Sequence, residues 1–148
     1  MGSVRFFYAD VPAISLPEKR KVQQLVTTIF LKEKKKLRQL NYIFCSDAFI
    51  LDINQNFLQH DYYTDIITFD LSETTETVGE IYISVETVKS NSILHQTNYR
   101  QELLRVIFHG TLHLCGYGDK TKSEITKMRA KEDCYLQAYF QTNNPCST

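Results

Sequence analysis

Residues 100–119 constrain the fold of this chain more than any other segment does. Apolar side chains recur there at the spacing of one helix face, which predicts a helix over about residues 100–114. His109 and His113 are four residues apart in that helix, so both imidazoles lie on one face, one turn apart. Gly116 can then end the helix in a left-handed conformation. The chain must therefore turn back beside the two histidines.

A carboxylate completes this pattern. Asp119 lies six residues after His113 and can reach the same point once the chain has turned. Two neutral imidazole nitrogens and one carboxylate suit Zn²⁺, so we predict one zinc ion held by His109, His113 and Asp119. Three protein ligands leave a fourth position for water, and zinc lowers the pKa of such a water to roughly 7. The chemistry expected of such a site is hydrolysis. The alternative is that the two histidines have helical spacing by chance and bind no metal.

The rest of the chain alternates between strand-like and helix-like segments, which predicts an α+β domain with a small sheet covered by helices. We expect a single domain over residues 1–148, with a mixed four-stranded sheet, about five helices and the metal site at the end of a helix in the C-terminal half. The predicted strands are 4–8, 40–45, 64–69 and 79–85. The other predicted helices are 17–32, one that follows Ser46-Asp47 and ends near Phe57, one from a Ser84 cap to 94, and 123–140.

Both ends of the chain and two polar segments are expected to lie outside this framework. Residues 1–3 are interpreted as a possible cloning remnant, and residues 143–148 as a frayed tail. The polar residues 72–77 are predicted to form a mobile loop. No apolar run approaches the roughly 20 residues that cross a bilayer. We therefore expect no membrane contact and a cytoplasmic protein.

The charge balance limits how nucleic acid could be bound. The chain carries 17 basic and 17 acidic residues, so its formal net charge is zero. Any contact with phosphates should therefore be local. The candidate RNA-binding residues are Lys34, Lys35, Lys36 and Arg38. The alternative interpretation of this run is a solvated helix end, where cations suit the helix dipole.

The metal pattern also matches the HExxHxxGxx(H/D) frame of one class of zinc peptidases, except at one position. Gly110 follows His109 where those peptidases carry the glutamate that serves as general base. A peptidase of that type would lack its proton acceptor.

Several segments together resemble the YbeY family of endoribonucleases. Residues 109–119, HGTLHLCGYGD, are similar to the family signature HGxLHLxGYDH. Residues 64–69 and 79–84 are similar to its TDVLSF and GDIxIS segments, and Asn54 and Phe57 stand where LNxxYR begins. An ExxxMxxxE helix is matched by Glu124, Met128 and Glu132. The likeness runs in the right order from about residue 40 to residue 133.

The resemblance implies an α+β fold, one bound zinc ion and endoribonuclease activity on single-stranded RNA. It also implies a role in maturing the 16S RNA of the small ribosomal subunit, with ribosomal RNA and that subunit as partners. The alternatives are a non-catalytic, zinc-binding factor for ribosome assembly, and a zinc peptidase. The oligomeric state is left open.

Two departures from the family pattern bear on catalysis. Asp119 stands where the family has a third histidine, and Leu58 stands where it has an arginine that would be expected to contact phosphate. We name no general base beyond water bound to the metal. His60 is the one candidate for a phosphate contact or a proton carrier, and a solvated side chain is the alternative.

The remaining polar residues near these motifs are given structural roles. We expect Thr64 and Asp65 to position the third strand and His95 to be structural or solvent-facing. Glu124, Met128 and Glu132 recur every four residues, so we expect packing and salt bridges along one helix face.

Overall fold

The computed structural model describes residues 2–12, 18–57 and 64–141. The predicted α+β architecture is confirmed, because these residues form a four-stranded mixed sheet and five helices. The predicted sites at Leu58 and His60 and the tail 143–148 lie outside the described residues. In chain order the elements are β1 (Ser3–Tyr8), α1 (Lys19–Lys32), β2 (Lys36–Cys45), α2 (Asp47–Phe57), β3 (Ile66–Asp70), β4 (Glu76–Ser84), α3 (Val85–Leu94), α4 (Tyr99–Leu114) and α5 (Lys122–Phe140).

The sheet has the strand order β1-β2-β4-β3. β1, β2 and β4 are parallel to one another, and β3 runs antiparallel to β4 at one edge. Successive side chains of a strand point to opposite faces, so each strand has one face for the core. That face is fully buried at Leu40, Tyr42 and Phe44 of β2 and at Ile81 and Ile83 of β4.

Helices α1, α4 and α5 supply the other half of this main core. Their buried residues recur at helical spacing and pack against the sheet in one cluster, which includes Val26, Ile29, Leu104, Phe108 and Leu136. On the opposite face, α2 covers β3 and β4 through a smaller cluster built around Ile50, Ile53 and Ile67. Among the described residues, no helix combines the length and the apolar character needed to cross a bilayer.

Two strands begin earlier than the sequence predicted. β2 starts at Lys36 and β4 at Glu76, and these two residues lie opposite each other in the parallel ladder. Because their side chains are polar, the hydrophobic pattern does not predict a strand there. Pairing with the neighbouring strand satisfies their backbone hydrogen-bonding groups and makes them strand residues. The loop predicted for residues 72–77 is therefore shorter, and Ser3 belongs to β1, where it pairs with Gln39.

The basic run begins at the C-terminal end of α1 and continues into β2. α1 stops at Lys32, Lys34 takes a left-handed conformation with φ of 59°, and the chain then enters β2. Lys36 and Arg38 are strand residues, and all four candidate cations are exposed. The helix-end interpretation therefore holds for Lys34 and Lys35, whose amides donate to the carbonyls of Leu31 and Phe30 in α1, but not for the strand residues Lys36 and Arg38.

Helix α4 lies close to the sheet, and this contact places the predicted metal ligands. A Cβ atom at Gly110 would lie 2.8 Å from Cδ1 of Ile66 and 3.0 Å from Cδ1 of Ile81, so a larger residue would force these side chains to move. At the next residue, the buried hydroxyls of Tyr42 and Thr111 share a hydrogen bond, and Thr111 also donates to the carbonyl of Ile107. With that face of α4 against β3 and β4, His109 and His113 project towards the β3 edge.

Replacing Thr111 with valine should destabilise the protein. The substitution keeps the shape of the side chain but leaves the hydroxyl of Tyr42 buried without its partner. We expect the free energy of unfolding of the metal-free protein to fall by about 1–3 kcal/mol in urea denaturation.

Thr126→Val is the matched control, because the Thr126 hydroxyl bonds only to a carbonyl of its own helix on an exposed face. Its expected change is within about 0.5 kcal/mol. Equal losses at the two positions would contradict the importance of the buried pair.

Candidate metal centre

Three side chains from α4 and the loop after it converge at one point. The Nε2 atoms of His109 and His113 each lie 3.2 Å from Oδ2 of Asp119. All three ligand-capable atoms lie within 4.8 Å of one another. The two imidazole rings meet edge to face, with centroids 4.8 Å apart. The structure thus brings together the three residues that the sequence predicted as metal ligands.

The chain reverses at Gly116, as its sequence position predicts. Gly116 has φ of 106°, a conformation that side chains with a Cβ rarely adopt. Its amide donates to the carbonyl of His113, and the amide of Tyr117 donates to that of Leu112, both at 3.0 Å. These bonds satisfy carbonyls at the end of α4 and return the chain towards the histidines.

The far side of the loop is held by α5. The Glu124 carboxylate accepts hydrogen bonds from the amides of Lys120 at 3.2 Å and Thr121 at 2.9 Å. The amide of Glu124 in turn donates to the Thr121 hydroxyl at 3.1 Å, which completes a capping box at the start of α5. Any Cβ at Gly118 would collide with the same carboxylate, so the loop passes directly over the start of α5. Asp119 lies between these two points.

The donor set fits a zinc ion. Zinc bonds of about 2.0–2.2 Å in a tetrahedral site put neighbouring donor atoms roughly 3.3–3.5 Å apart. The two nitrogen–oxygen separations of 3.2 Å are close to this value, whereas the three atoms as a set spread over up to 4.8 Å, so the two histidine rings would draw together around an ion. The side chains of His109, His113 and Asp119 are 21%, 30% and 41% exposed, so one side of the cluster is open to a further ligand.

A fourth side chain orients His109 from behind. Nδ1 of His109 lies 2.6 Å from Oε2 of Glu132, which is only 5% exposed. Arg105 holds the other oxygen of Glu132 at 2.9 Å and also binds Asp133 at 2.6 Å. A carboxylate behind a ligating histidine fixes the ring orientation and leaves Nε2 directed at the metal.

Sequence reasoning missed this support. It assigned Glu132 to helix packing and salt bridges and gave Arg105 no role, although the salt bridge to Arg105 is present. Arg105 precedes His109 by four residues on the same helix, which is a signal that could have identified it. Glu132 lies 23 residues beyond His109, and no spacing rule predicts that contact. Of its two companions, Glu124 caps α5 and Met128 is buried in the core.

The charges of the site act on one another. Burial by itself lowers the pKa of His109, but the hydrogen bond and charge of Glu132 and the charge of Asp119 raise it above its ordinary value. Burial by itself raises the pKa of Asp119, but the charges and hydrogen bonds of His113 and His109 lower it overall. A proton therefore competes with a metal for His109, while Asp119 is ready to bind as an anion.

The cluster opens into a cleft of about 670 Å³. Residues of β3 line its wall, together with Asp65, Arg105 and Arg129. Burial raises the pKa of Asp65, and the positive charge of His109 offsets part of this effect. The backbone carbonyl of Asp65 accepts from Ser84 at 3.0 Å, which agrees with its predicted role in positioning β3.

Of the other residues singled out in the sequence, Asn54 and His95 line the cleft described by the structure and the basic run does not. Asn54, in the segment similar to LNxxYR, is buried and lines the cleft. His95 also lines it, but its side chain is 55% exposed and lies 3.5 Å from Glu102, as expected of a solvent-facing histidine. The basic run, residues 34–38, is absent from the cleft wall described by the structure.

Glu132→Gln should weaken metal binding. Glutamine keeps the size of the side chain but removes the charge that favours the His109 orientation and basicity. We expect the affinity for Zn²⁺ to fall about 10–100-fold in competition with a chromophoric chelator. Asp133→Asn is the matched control, because Asp133 binds Arg105 and does not contact His109. Equal affinity losses in both variants would argue against a specific role for Glu132.

Comparison with known proteins identifies the family. The family model described as endoribonuclease YbeY matches residues 12–140. A protein of Cytophaga hutchinsonii, named endoribonuclease YbeY, is 48% identical over 132 residues, covering 88% of this chain and 92% of that protein. A Porphyromonas gingivalis protein of the same name is 45% identical over 138 residues, covering 92% and 90% respectively.

A solved structure agrees with this result. The solution structure of TM1509 from Thermotoga maritima superposes with a TM-score of 0.63 at 26% sequence identity, covering 99% of this chain and 97% of that one. The family match spans both α4 and the loop that carries Asp119. The chain therefore belongs to the YbeY family of endoribonucleases, enzymes that hydrolyse phosphodiester bonds in RNA.

Proposed function

We propose that this protein is a zinc-dependent endoribonuclease that cleaves single-stranded RNA and matures the 16S RNA of the small ribosomal subunit in the cytoplasm. The observation that carries the proposal is the convergence of His109, His113 and Asp119 at the wall of an open cleft, in a chain of this family. The small ribosomal subunit is the proposed partner.

The residues of the cleft have complementary tasks. His109, His113 and Asp119 would hold the zinc ion, and Glu132 with Arg105 fixes the ring of His109. A bound zinc ion supplies a Lewis acid for the phosphoryl oxygens and makes hydroxide available near neutral pH. Asp65 faces the same cleft, and its raised pKa suits a carboxyl group that exchanges a proton during hydrolysis.

One cationic side chain in the cleft is available to bind the scissile phosphate. Arg129 lines the wall with a side chain that is 63% exposed, and its closest carboxylate contact is a long one, 3.9 Å from Glu132. Arg105, by contrast, is committed to Glu132 and Asp133 at short distances. Arg129 is therefore the cation that we assign to phosphate binding, in a chain whose residue at the family arginine position is Leu58.

The basic run is proposed to extend this contact along the RNA. Lys34, Lys35, Lys36 and Arg38 are exposed and form no salt bridge with the described part of the chain. Leu40, just after the run, pairs with Gly79, and Gly79 lies against Leu114 at the end of α4. The run thus approaches the end of α4 that carries the metal ligands.

A peptidase is the less favourable alternative. Gly110 stands where the zinc peptidases carry their glutamate base, and its Cβ direction points at methyl groups of Ile66 and Ile81, so that proton acceptor is missing from the site. A non-catalytic assembly factor is the second alternative, favoured by Leu58 at the position of the family arginine. Such a factor would bind the ribosome and its zinc but would not cleave RNA.

His113→Ala should abolish bound zinc and lower RNA cleavage by about tenfold or more, because two ligands hold the ion poorly. Metal analysis and cleavage of a single-stranded RNA are measured on the same preparations, with casein as a parallel substrate. His95→Ala is the control for loss of a histidine from the cleft wall and should keep its zinc.

Unchanged zinc content in His113→Ala would reject the ligand assignment. Zinc binding without cleavage by the wild type would favour the assembly factor, and casein cleavage without RNA cleavage would favour the peptidase.

Replacing all three of Lys34, Lys35 and Lys36 by glutamine should raise KM for a long single-stranded RNA. It should also make KM depend less on salt concentration, because fewer phosphate contacts release fewer counterions. The matched control replaces Lys19, Arg20 and Lys21, which are the same number of exposed charges at the opposite end of α1. An equal change of KM in both triple variants would show a general charge effect and no local RNA path.

A further inference from the structure

A single carboxylate joins three elements near the metal loop. Glu33, directly after α1, accepts hydrogen bonds from the hydroxyl of Tyr117 at 2.7 Å and from that of Tyr135 at 2.8 Å. Lys131 of α5 lies 3.1 Å from the same carboxylate. The side chain of Glu33 is only 10% exposed, so these contacts are shielded from solvent. Hydrogen bonds to a charged, shielded acceptor are stronger than neutral ones.

Tyr117 connects this carboxylate to the loop that carries Asp119. It lies one residue after the turn at Gly116 and two before Asp119, and it is the one large side chain of residues 116–119. Gly116 is exposed, and a Cβ built on it would meet nothing within 4 Å. The loop is therefore fixed through Tyr117 on one side of Asp119 and through the amides of Lys120 and Thr121 on the other.

Tyr117 and Tyr135, which bind the same carboxylate, belong to segments of different rigidity. Tyr135 belongs to the regular helix α5, whose position is already set by a capping box and by buried residues such as Met128 and Leu136. Tyr117 belongs to a short loop with no helix or strand structure of its own. Loss of the same hydrogen bond should therefore displace the loop more than the helix.

We infer that the hydrogen bond between Tyr117 and Glu33 is a positioning contact for the metal site, which keeps the Asp119 carboxylate in reach of both imidazoles. The inference rests on the proposed ligation by His109, His113 and Asp119. It makes Glu33 and Tyr117 positioning residues, because neither contacts the ligand atoms in the described structure. It also links α1 to the metal site, since Glu33 directly follows the last residue of α1.

Tyr117→Phe and Tyr135→Phe form a matched pair, because each removes one hydroxyl from the same carboxylate. The full chain is titrated with Zn²⁺ against a chromophoric chelator, and the thermal unfolding of the metal-free protein is recorded in parallel. Tyr117→Phe should weaken Zn²⁺ binding about tenfold, whereas Tyr135→Phe should change it less than about twofold. The visible spectrum of bound Co²⁺ should change only in Tyr117→Phe, since it reports ligand geometry.

A double-mutant cycle with Asp119→Ala shows whether Tyr117 acts through Asp119. If it does, adding Tyr117→Phe to Asp119→Ala should cause no further loss of Zn²⁺ affinity. A tenfold further loss in the double variant would overturn the inference, as would equal effects of Tyr117→Phe and Tyr135→Phe or no effect of either. If Asp119→Ala itself binds Zn²⁺ like the wild type, the proposed ligand set fails. If only Asp119→Ala weakens binding, the ligand set stands and the positioning contact fails.

Discussion

The close approach of α4 to β3 and β4 is the constraint on which the site depends. Gly110 removes the side chain that would separate helix from sheet, and the contact with Ile66 and Ile81 sets the rotation of α4 about its axis. That rotation buries Thr111 against Tyr42 and leaves His109 and His113 on the cleft side. A rigid helix on a sheet is a more accurate platform for catalytic groups than a loop is.

Around this platform, carboxylates hold the parts that the helix does not fix. Glu132 orients His109. Glu124 accepts hydrogen bonds from the amides that follow Asp119, and Glu33 accepts one from the hydroxyl of Tyr117, which precedes Asp119. All three come from elements outside α4, so the ligand geometry depends on how α1 and α5 pack beside that helix. Preorganisation of this kind spares the site the cost of ordering its ligands when it acts.

The sequence predicted the features that follow from local spacing. Helical periodicity located α4, the four-residue interval paired His109 with His113, and Gly116 marked the turn. Contacts between distant residues were beyond such rules, because nothing in the spacing connects Glu132 to His109. The starts of β2 and β4 were also missed, since Lys36 and Glu76 are polar and become strand residues only through their pairing.

The ion pairs of Asp119 have a consequence for how the protein acquires its metal. Asp119 lies 3.2 Å from both imidazoles, and its charge adds to that of Glu132 in raising the pKa of His109, so a metal ion that binds there must displace a proton from that ring. Loading of the site should therefore release acid and become less favourable as the pH falls.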